Sequence, residues 1–321
     1  MAEFNIYDAA QAAQMIKDEI QERYNDFNTL NVVVIGKTGV GKSTLINTVF
    51  GDSVAEVGIG TPVTQAIRKL EKEGVPLAIY DTPGLELQGN HSTENLLEEV
   101  SELINEGIRH NDVNQAIHCI WYCINTTSSR IEPTEMDFLR KLGENTKRCN
   151  VPVILVLTQA FSPKKTEEMV MVIRKANLPV REVVPVLAQD YEISEVFPKI
   201  PAFGIDKLVE VMNKLLPDTV RDTFVALQIV SIDLKRARAR AVVTGAAGAA
   251  ALTGAAPIPF SDAAILVPTQ VSMLAGITAV FGLPLGKSAL TSIVTATIGT
   301  AGTTVLGKTV VANLVKMIPG A

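Results

Sequence analysis

The sequence predicts an α/β fold: a doubly wound, mostly parallel sheet, preceded by an N-terminal helix and followed by an all-α hydrophobic region. Between residues 30 and 217, short apolar runs alternate with longer segments of helical period. Continuous apolar strands are typical of parallel sheets that are buried on both faces. A glycine-rich loop joins the first apolar run to a helical segment. A charged segment begins at residue 218, and after residue 240 charged residues become rare. We therefore expect three parts: residues 1–29, 30–217 and 218–321.

Each element is predicted from its hydrophobic pattern. An amphipathic helix is expected between Ile6 and Phe27, where apolar residues recur at helical spacing. The predicted core strands are Asn31–Ile35, Pro76–Tyr80, Ala116–Ile124, Val151–Leu157 and Val183–Leu187. The predicted helices between and after them are Thr93–Arg109, Thr134–Lys147, Thr166–Lys175 and Gly204–Leu216.

The glycine-rich loop has the sequence GKTGVGKST, which fits the P-loop pattern G-x-x-x-x-G-K-S. Glycines allow backbone N–H groups to surround an anion, and the N-terminus of the next helix faces the same point. In such a loop Lys42 contacts the β- and γ-phosphates, and the Ser43 hydroxyl binds Mg²⁺. The alternative is a turn without a ligand. The predicted phosphate-binding residues are Gly36, Lys37, Thr38, Gly39, Val40, Gly41, Lys42, Ser43 and Thr44.

A second motif, Asp81-Thr82-Pro83-Gly84, ends an apolar strand about forty residues after the P-loop. An Asp at the end of a strand can hold a water molecule on Mg²⁺, and a Gly just beyond it can offer its N–H to the γ-phosphate. We therefore expect Asp81 to act at the metal and Gly84 at the phosphate.

Together the two motifs resemble those of the Era-like GTPases of the translation-factor class. The resemblance implies that GTP or GDP and Mg²⁺ bind here, and that Gln65–Leu70 is an antiparallel edge strand. It also implies a threonine that closes over Mg²⁺ in the triphosphate state, for which Thr64 is the first candidate and Thr61 the second. The implied catalytic residues are Lys42, Thr64 and Gly84, and the implied metal-binding residues are Ser43, Thr64 and Asp81.

The motif that binds the base departs from this family. Its members carry N/T-K-x-D after the fifth strand, and the Asp accepts hydrogen bonds from guanine. Here the sequence is Thr158-Gln159-Ala160-Phe161, without a carboxylate. We expect Thr158 and Gln159 to lie at the base, and Ala188 to match a loop whose backbone contacts guanine O6. GTP is expected, with an ATP-using protein as an alternative.

The residue after Gly84 is Leu85, where many GTPases have a Gln that orients the attacking water. We therefore expect slow hydrolysis that a partner or a second copy accelerates, and hence a nucleotide-dependent homodimer. Arg130 is either a residue that enters a neighbouring active site or a solvated loop residue.

The C-terminal part is expected to be helical and hydrophobic. A charged helix over Asp218–Arg240 ends in a basic patch, and three tracts of low charge follow: Ala241–Ser261, Ala263–Gly286 and Ser288–Gly307. Their lengths suit membrane helices, but small residues and Pro257, Pro259, Pro268 and Pro284 interrupt them. The stretch from Pro257 through Asp262, Gln270 and Met273 to Gly282 resembles the small hydrophobic C-terminal domain of some bacterial Era-like GTPases. The overall layout resembles dynamin-like and immunity-related GTPases.

These features lead to two classes of function. The first is a GTPase that hydrolyses GTP slowly and whose nucleotide state controls how the helical domain meets a membrane or partner proteins. The second is a nucleotide-binding scaffold or membrane-active effector in which hydrolysis is incidental. The formal net charge is −5, and an acidic chain with one basic patch suits an anionic membrane surface better than nucleic acid. We expect a cytoplasmic protein, either free or at the inner face of a membrane, with Cys119, Cys123 and His118 in its core.

Overall fold

The computed structural model describes residues 18–23, 25–51, 67–71, 75–84, 93–128, 131–192, 198–254 and 262–282. The chain divides into two compact units. One is Phe27–Ile232 and contains the sheet, and the other combines Met1–Asp26 with Asp233–Ala321.

The first unit is built on a six-stranded sheet with the order β2-β3-β1-β4-β5-β6. The strands are β1 (Leu30–Gly36), β2 (Arg68–Glu71), β3 (Leu77–Asp81), β4 (Cys119–Asn125), β5 (Val153–Thr158) and β6 (Glu182–Pro185). All neighbouring strands are parallel except β2, which runs antiparallel to β3. The predicted fold class is therefore confirmed, and so is the antiparallel edge strand.

Helices cover the sheet, whose central strands are mostly apolar. Every residue of β1 and β5 is buried, as expected for strands covered on both faces. The helices of this unit are α1 (Lys42–Phe50), α2 (Thr93–His110), α3 (Pro133–Cys149), α4 (Pro163–Ala176), α5 (Ile205–Leu215) and α6 (Asp218–Leu227). In α2, Leu96, Val100 and Ile104 lie one helical turn apart and are buried, which is the pattern that predicted the helix.

The sheet unit extends beyond the range 30–217 that the sequence suggested, because α6 packs onto it. Phe224 is fully buried, and its ring lies edge-on to that of Phe50 at the end of α1, with centroids 6.3 Å apart. Beyond α6, the Ile229 backbone N–H donates to Val49 O at 2.9 Å.

The predicted continuous helix Asp218–Arg240 is wrong, since α6 ends at Leu227 and α7 (Ile232–Gly254) begins after a turn. The turn is formed by Gln228, which is fully buried. Its side-chain oxygen accepts hydrogen bonds from the backbone N–H groups of Val230 at 2.9 Å and Ser231 at 2.7 Å. A buried amide whose side chain bonds the local backbone competes with helical hydrogen bonding.

In the second unit, residues 18–23 are helical, and α7 and α8 (Asp262–Phe281) form the described part of the C-terminal region. The Arg23 guanidinium donates to Ser272 Oγ at 2.7 Å, so the N-terminal helix contacts α8. α8 continues through Pro268, and the expectation that this proline breaks the helix is wrong. Pro257, Pro259 and Pro284 lie outside the described residues. Within the described part of the chain, no helix combines the length and apolarity that a membrane crossing requires.

Candidate nucleotide-binding site

The loop between β1 and α1 has the backbone of an anion-binding turn. Gly39 and Gly41 have positive φ angles of 76° and 96°, a region that glycine enters without steric cost. Gly41 precedes α1 directly, and no side chain caps the helix. The first N–H groups of a helix have no partners within it, so those of α1 suit a phosphate.

Lys42 lies across this loop. Its ammonium group donates to Gly36 O at 2.9 Å and to Lys37 O at 3.2 Å. These bonds hold the side chain over the loop, where a phosphate would meet it. The next residue, Ser43, is exposed in the first turn of α1, with its hydroxyl available for a ligand. Both residues therefore lie at the loop, and their roles in binding stay predictions.

Lys37, also predicted to bind phosphate, contacts protein carboxylates instead. Its ammonium group lies 3.2 Å from Glu135 and 3.3 Å from Glu132. Burial alone would lower the pKa of Lys37, but the two carboxylates outweigh it and raise the pKa. Both acids belong to the capping box at the N-terminus of α3. The side chain of Lys37 therefore connects the loop to α3.

Asp81 lies at the end of β3, beside the loop. The register pairs Asp81 with Val34 on β1, so both strands end at the same edge of the sheet. Burial raises the pKa of Asp81, while the charges of Lys42 and Arg68 partly offset this. Its Oδ1 atom is buried and has no hydrogen-bond partner within the described residues. Burying an oxygen atom without a hydrogen-bond partner destabilises the fold. A metal-bound water could donate the missing hydrogen bond.

Gly84 lies directly against the loop. A Cβ atom added to Gly84 would lie 2.8 Å from the backbone N of Thr38, so only glycine allows this approach. The segment before it is fixed by Thr82, whose backbone N–H donates to Val34 O at 3.1 Å. The structure thus brings Lys42, Asp81 and Gly84 together, and their roles at the metal and phosphate stay predictions.

The residues present fit a magnesium ion that is bound with a nucleotide. No group of three or more His, Cys, Asp or Glu that could hold a metal alone occurs in the described part of the chain. Mg²⁺ needs no such group when phosphates and water supply most of its ligands. Ser43 and Asp81 would supply the protein oxygen atoms.

A cleft of about 210 Å³ adjoins the loop at the ends of β5 and β6. It is lined by Val40, Gly41, Thr44, Leu45, Thr158, Gln159, Val186, Leu187, Ala188, Gln189, Asp190 and Tyr191. One cleft therefore contains the three residues that the sequence predicts at the base: Thr158, Gln159 and Ala188.

Two of these predicted residues also support the loop. Thr158 Oγ1 lies 2.6 Å from Val40 O. The Gln159 amide donates to Gly39 O at 3.3 Å and accepts from the Asn125 amide at 3.1 Å. The polar ends of both side chains are thus occupied by protein contacts.

Sequence reasoning did not find the carboxylate of Asp190 in the cleft. It also missed the contact between Phe161, which does not line the cleft, and Tyr191, which does. These rings stack with centroids 4.3 Å apart and an interplanar angle of 6°. Asp190 is far from the P-loop in sequence, and only the fold brings it to the cleft.

Several candidates lie outside the described residues, namely Thr61, Thr64, Leu85 and Arg130. The expected core residues are confirmed. Cys119, Cys123 and His118 are buried, and the His118 ring accepts a hydrogen bond from the backbone N–H of Asn31 at 3.0 Å.

Comparison with known proteins finds a similarity to a GTPase family in this part of the chain. Residues 31–159 match the family described as 50S ribosome-binding GTPase. Neuronal-specific septin-3 of Rattus norvegicus is 28% identical over 169 residues, which are 45% of this chain and 46% of that protein. Septin-9 of Homo sapiens is 29% identical over 139 residues, 36% of this chain and 23% of that protein. The chain thus spans less than half the length of these relatives.

Among solved structures, Era in complex with MgGDPNP and a segment of 16S ribosomal RNA aligns with a TM-score of 0.41 and 23% identity. That alignment covers 60% of this chain and 58% of Era. Toc33 from Arabidopsis thaliana aligns with a TM-score of 0.38 and 18% identity. The alignment covers 67% of this chain and 92% of Toc33 for one structure, and 68% and 96% for another. These similarities are low, and the fold is assigned from the strand order and register.

Proposed function

We propose that this chain binds GTP with Mg²⁺ and hydrolyses it to GDP and phosphate. The observation that supports this most is the position of Asp81. Its buried Oδ1 atom has no partner within the described residues, and it lies near enough to Lys42 for the lysine charge to lower its pKa. A charged lysine and an unsatisfied carboxylate beside an uncapped helix suit a metal–phosphate ligand.

Each residue has a distinct task in this proposal. The N–H groups of the loop and of the first turn of α1 bind the phosphates, and Lys42 neutralises their negative charge. Ser43 and Asp81 would hold the metal and its water, and Gly84 would offer its backbone N–H to the terminal phosphate. Mg²⁺ neutralises charge on the phosphates when it is bound. Thr64 is proposed to close over the metal in the triphosphate state.

We further propose that hydrolysis by the isolated chain is slow. Leu85 stands where a water-orienting glutamine is found in many GTPases, and an apolar side chain cannot orient water. A second copy of the chain is proposed to complete the site, with the nucleotide at the contact between copies.

The nucleotide state is proposed to control the helical unit. The far end of the P-loop helix α1 contacts the segment that leads into α7, through Phe50 with Phe224 and Val49 O with the Ile229 N–H. We propose that a displacement of α1 moves this segment, which precedes α7 in the chain.

The surface of α7 supports binding of this unit to an anionic membrane. Arg236, Arg238 and Arg240 are exposed, and the helix continues with exposed Val243 and Gly245. Cationic side chains next to an exposed apolar stretch suit the interface of an anionic bilayer.

Hydrolysis is tested by measuring phosphate release from GTP with wild type, Lys42→Ala and the surface variant Lys141→Ala. We expect slow release by wild type and Lys141→Ala, and none by Lys42→Ala. The rate per molecule of wild-type protein should rise with protein concentration, because a second copy completes the site. Equal release by all three proteins would contradict the proposal.

Membrane binding is tested by sedimentation with vesicles of phosphatidylserine and phosphatidylcholine, compared with phosphatidylcholine alone. We expect binding to the anionic vesicles only, and its loss when Arg236, Arg238 and Arg240 are changed to Gln. Equal binding to both kinds of vesicle, or no binding in the presence of GTP or of GDP, would contradict this part and would favour a protein partner.

A further inference from the structure

The cleft beside the P-loop, here called the base cleft, contains a carboxylate that the sequence motif did not predict. In the segment where the related motif ends with Asp, this chain has Phe161. Guanine presents two adjacent donors, N1–H and the 2-amino group, and a carboxylate is the side chain that accepts both. A guanine site in this chain therefore needs an acid from another element.

Asp190 is the acid that the fold supplies. Of the residues that line the cleft beside the P-loop, it alone carries a carboxylate among those the structure describes. Gln159 is a poor substitute, because its amide already bonds Gly39 O and Asn125. Thr158 is likewise occupied by Val40 O.

The backbone around Asp190 is held in place. Leu187 and Phe203 exchange two backbone hydrogen bonds of 2.9 Å, and Tyr191 and Ile200 exchange bonds of 2.8 and 2.9 Å. Asp190 Oδ1 accepts the Ala202 N–H at 2.8 Å. An ionised carboxylate has about four acceptor positions, so this bond leaves acceptor capacity for a base.

Phe161 also contributes to this arrangement. Its ring stacks on that of Tyr191, the residue after Asp190, at 4.3 Å. Ala160, just before Phe161, donates its N–H to Val186 O at 3.1 Å. The segment that has lost its own acid therefore packs against the segment that carries one.

We propose that Asp190 accepts hydrogen bonds from N1–H and the 2-amino group of guanine, and that Phe161 positions it through Tyr191. This inference rests on the proposed function, because it assumes a nucleotide in the cleft. It assigns the preference for guanine over adenine to Asp190, since adenine has an acceptor at N1 and no 2-amino group.

The test is a comparison of triphosphate affinities with the full chain in Mg²⁺. Asp190→Asn keeps an oxygen that can accept the Ala202 N–H but adds a donor opposite the 2-amino group. We expect GTP affinity to fall roughly 10- to 100-fold, because hydrogen bonds to a charged group are lost and a donor faces a donor. Xanthosine triphosphate, which has a carbonyl at C2, should bind this variant better than wild type, and ATP affinity should not change.

The matched control is Glu192→Gln, which removes one negative charge two residues away. Glu192 pairs with Lys199 at 3.2 Å and does not line the cleft, so GTP affinity should stay within about twofold, as for an exposed ion pair of little energy. Phe161→Ala should lower the ratio of GTP affinity to ATP affinity. Phe161→Tyr, which keeps an aromatic ring, should leave this ratio at its wild-type value.

The outcomes separate the two proposals. If Lys42→Ala abolishes GTP binding while Asp190→Asn binds GTP as wild type does, the role of Asp190 is overturned and the proposed function stands. If wild type binds no triphosphate, both are overturned.

Discussion

The packing of α6 on the sheet leads to a prediction about Phe224. This side chain is fully buried and lies edge-on to Phe50, whose ring stacks on Trp121 with centroids 5.9 Å apart. Phe224→Ala loses the transfer energy of a buried aromatic ring and leaves a cavity, which together cost about 3–5 kcal/mol. The ring pair contributes about 0.5–1.5 kcal/mol to such a loss. We expect the free energy of unfolding to fall by about 4 kcal/mol.

Urea unfolding followed by tryptophan fluorescence measures this loss. Trp121 is the single tryptophan of the chain and lies in the sheet unit, so its signal reports that unit. The transition midpoint should fall while the slope stays unchanged, which separates a stability change from a change in the unfolded state.

Met171→Ala is the control, because Met171 on α4 is 56% exposed and should change stability by less than about 0.5 kcal/mol. A loss below about 1 kcal/mol for Phe224→Ala would refute the assignment of α6 to the sheet unit.

Four further predictions concern hydroxyl, carboxyl and imidazole groups. Thr158→Val removes the hydroxyl that contacts Val40 O, and should lower the free energy of unfolding by about 1–2 kcal/mol and weaken nucleotide binding. Asp81 has a raised pKa, so the affinity for nucleotide with Mg²⁺ should fall as the pH is lowered. The fall should begin at a higher pH than the protonation of an ordinary aspartate. Asp81→Asn should stabilise the nucleotide-free protein at neutral pH, because it removes a buried charge. Burial lowers the pKa of His118 to about 4 from 6.5, so the free energy of unfolding should fall by about 3 kcal/mol as the pH drops between these values, since the unfolded state binds the proton first.

Each of these predictions has its own check. Thr244→Val on the exposed face of α7 is the control for Thr158→Val, and equal effects of the two would contradict a special role of Thr158. If nucleotide binding shows the same pH dependence in Asp81→Asn and in wild type, the assignment of Asp81 to the metal site is contradicted. Urea unfolding at several pH values, with His118→Gln for comparison, tests the histidine, and a slope that persists in the variant would contradict the assignment.

Local signals explain how much of the site the sequence predicted. The glycine spacing, Lys42 and Ser43 were predictable because the loop lies between a buried strand and a helix, and each step is local. Asp81 and Gly84 were predictable because they end the next strand of the same sheet, and carboxyl ends of parallel strands meet at one edge.

The base cleft and the start of α7 were not predictable in the same way. Asp190 reaches the cleft through two backbone pairings between separated residues, Leu187 with Phe203 and Tyr191 with Ile200. The break at Gln228 depends on burial of a side-chain amide, and the helical pattern on either side of it does not reveal this burial.

The measurement that tests the central claim most directly is a calorimetric titration of GTP into the full chain, with Mg²⁺ and then with chelator. The account predicts saturable binding with Mg²⁺, weaker binding with chelator, and no binding by Lys42→Ala, whose unfolding transition remains intact. A wild-type protein that gives no heat with either GTP or ATP, or a Lys42→Ala variant that binds as tightly as wild type, would contradict it.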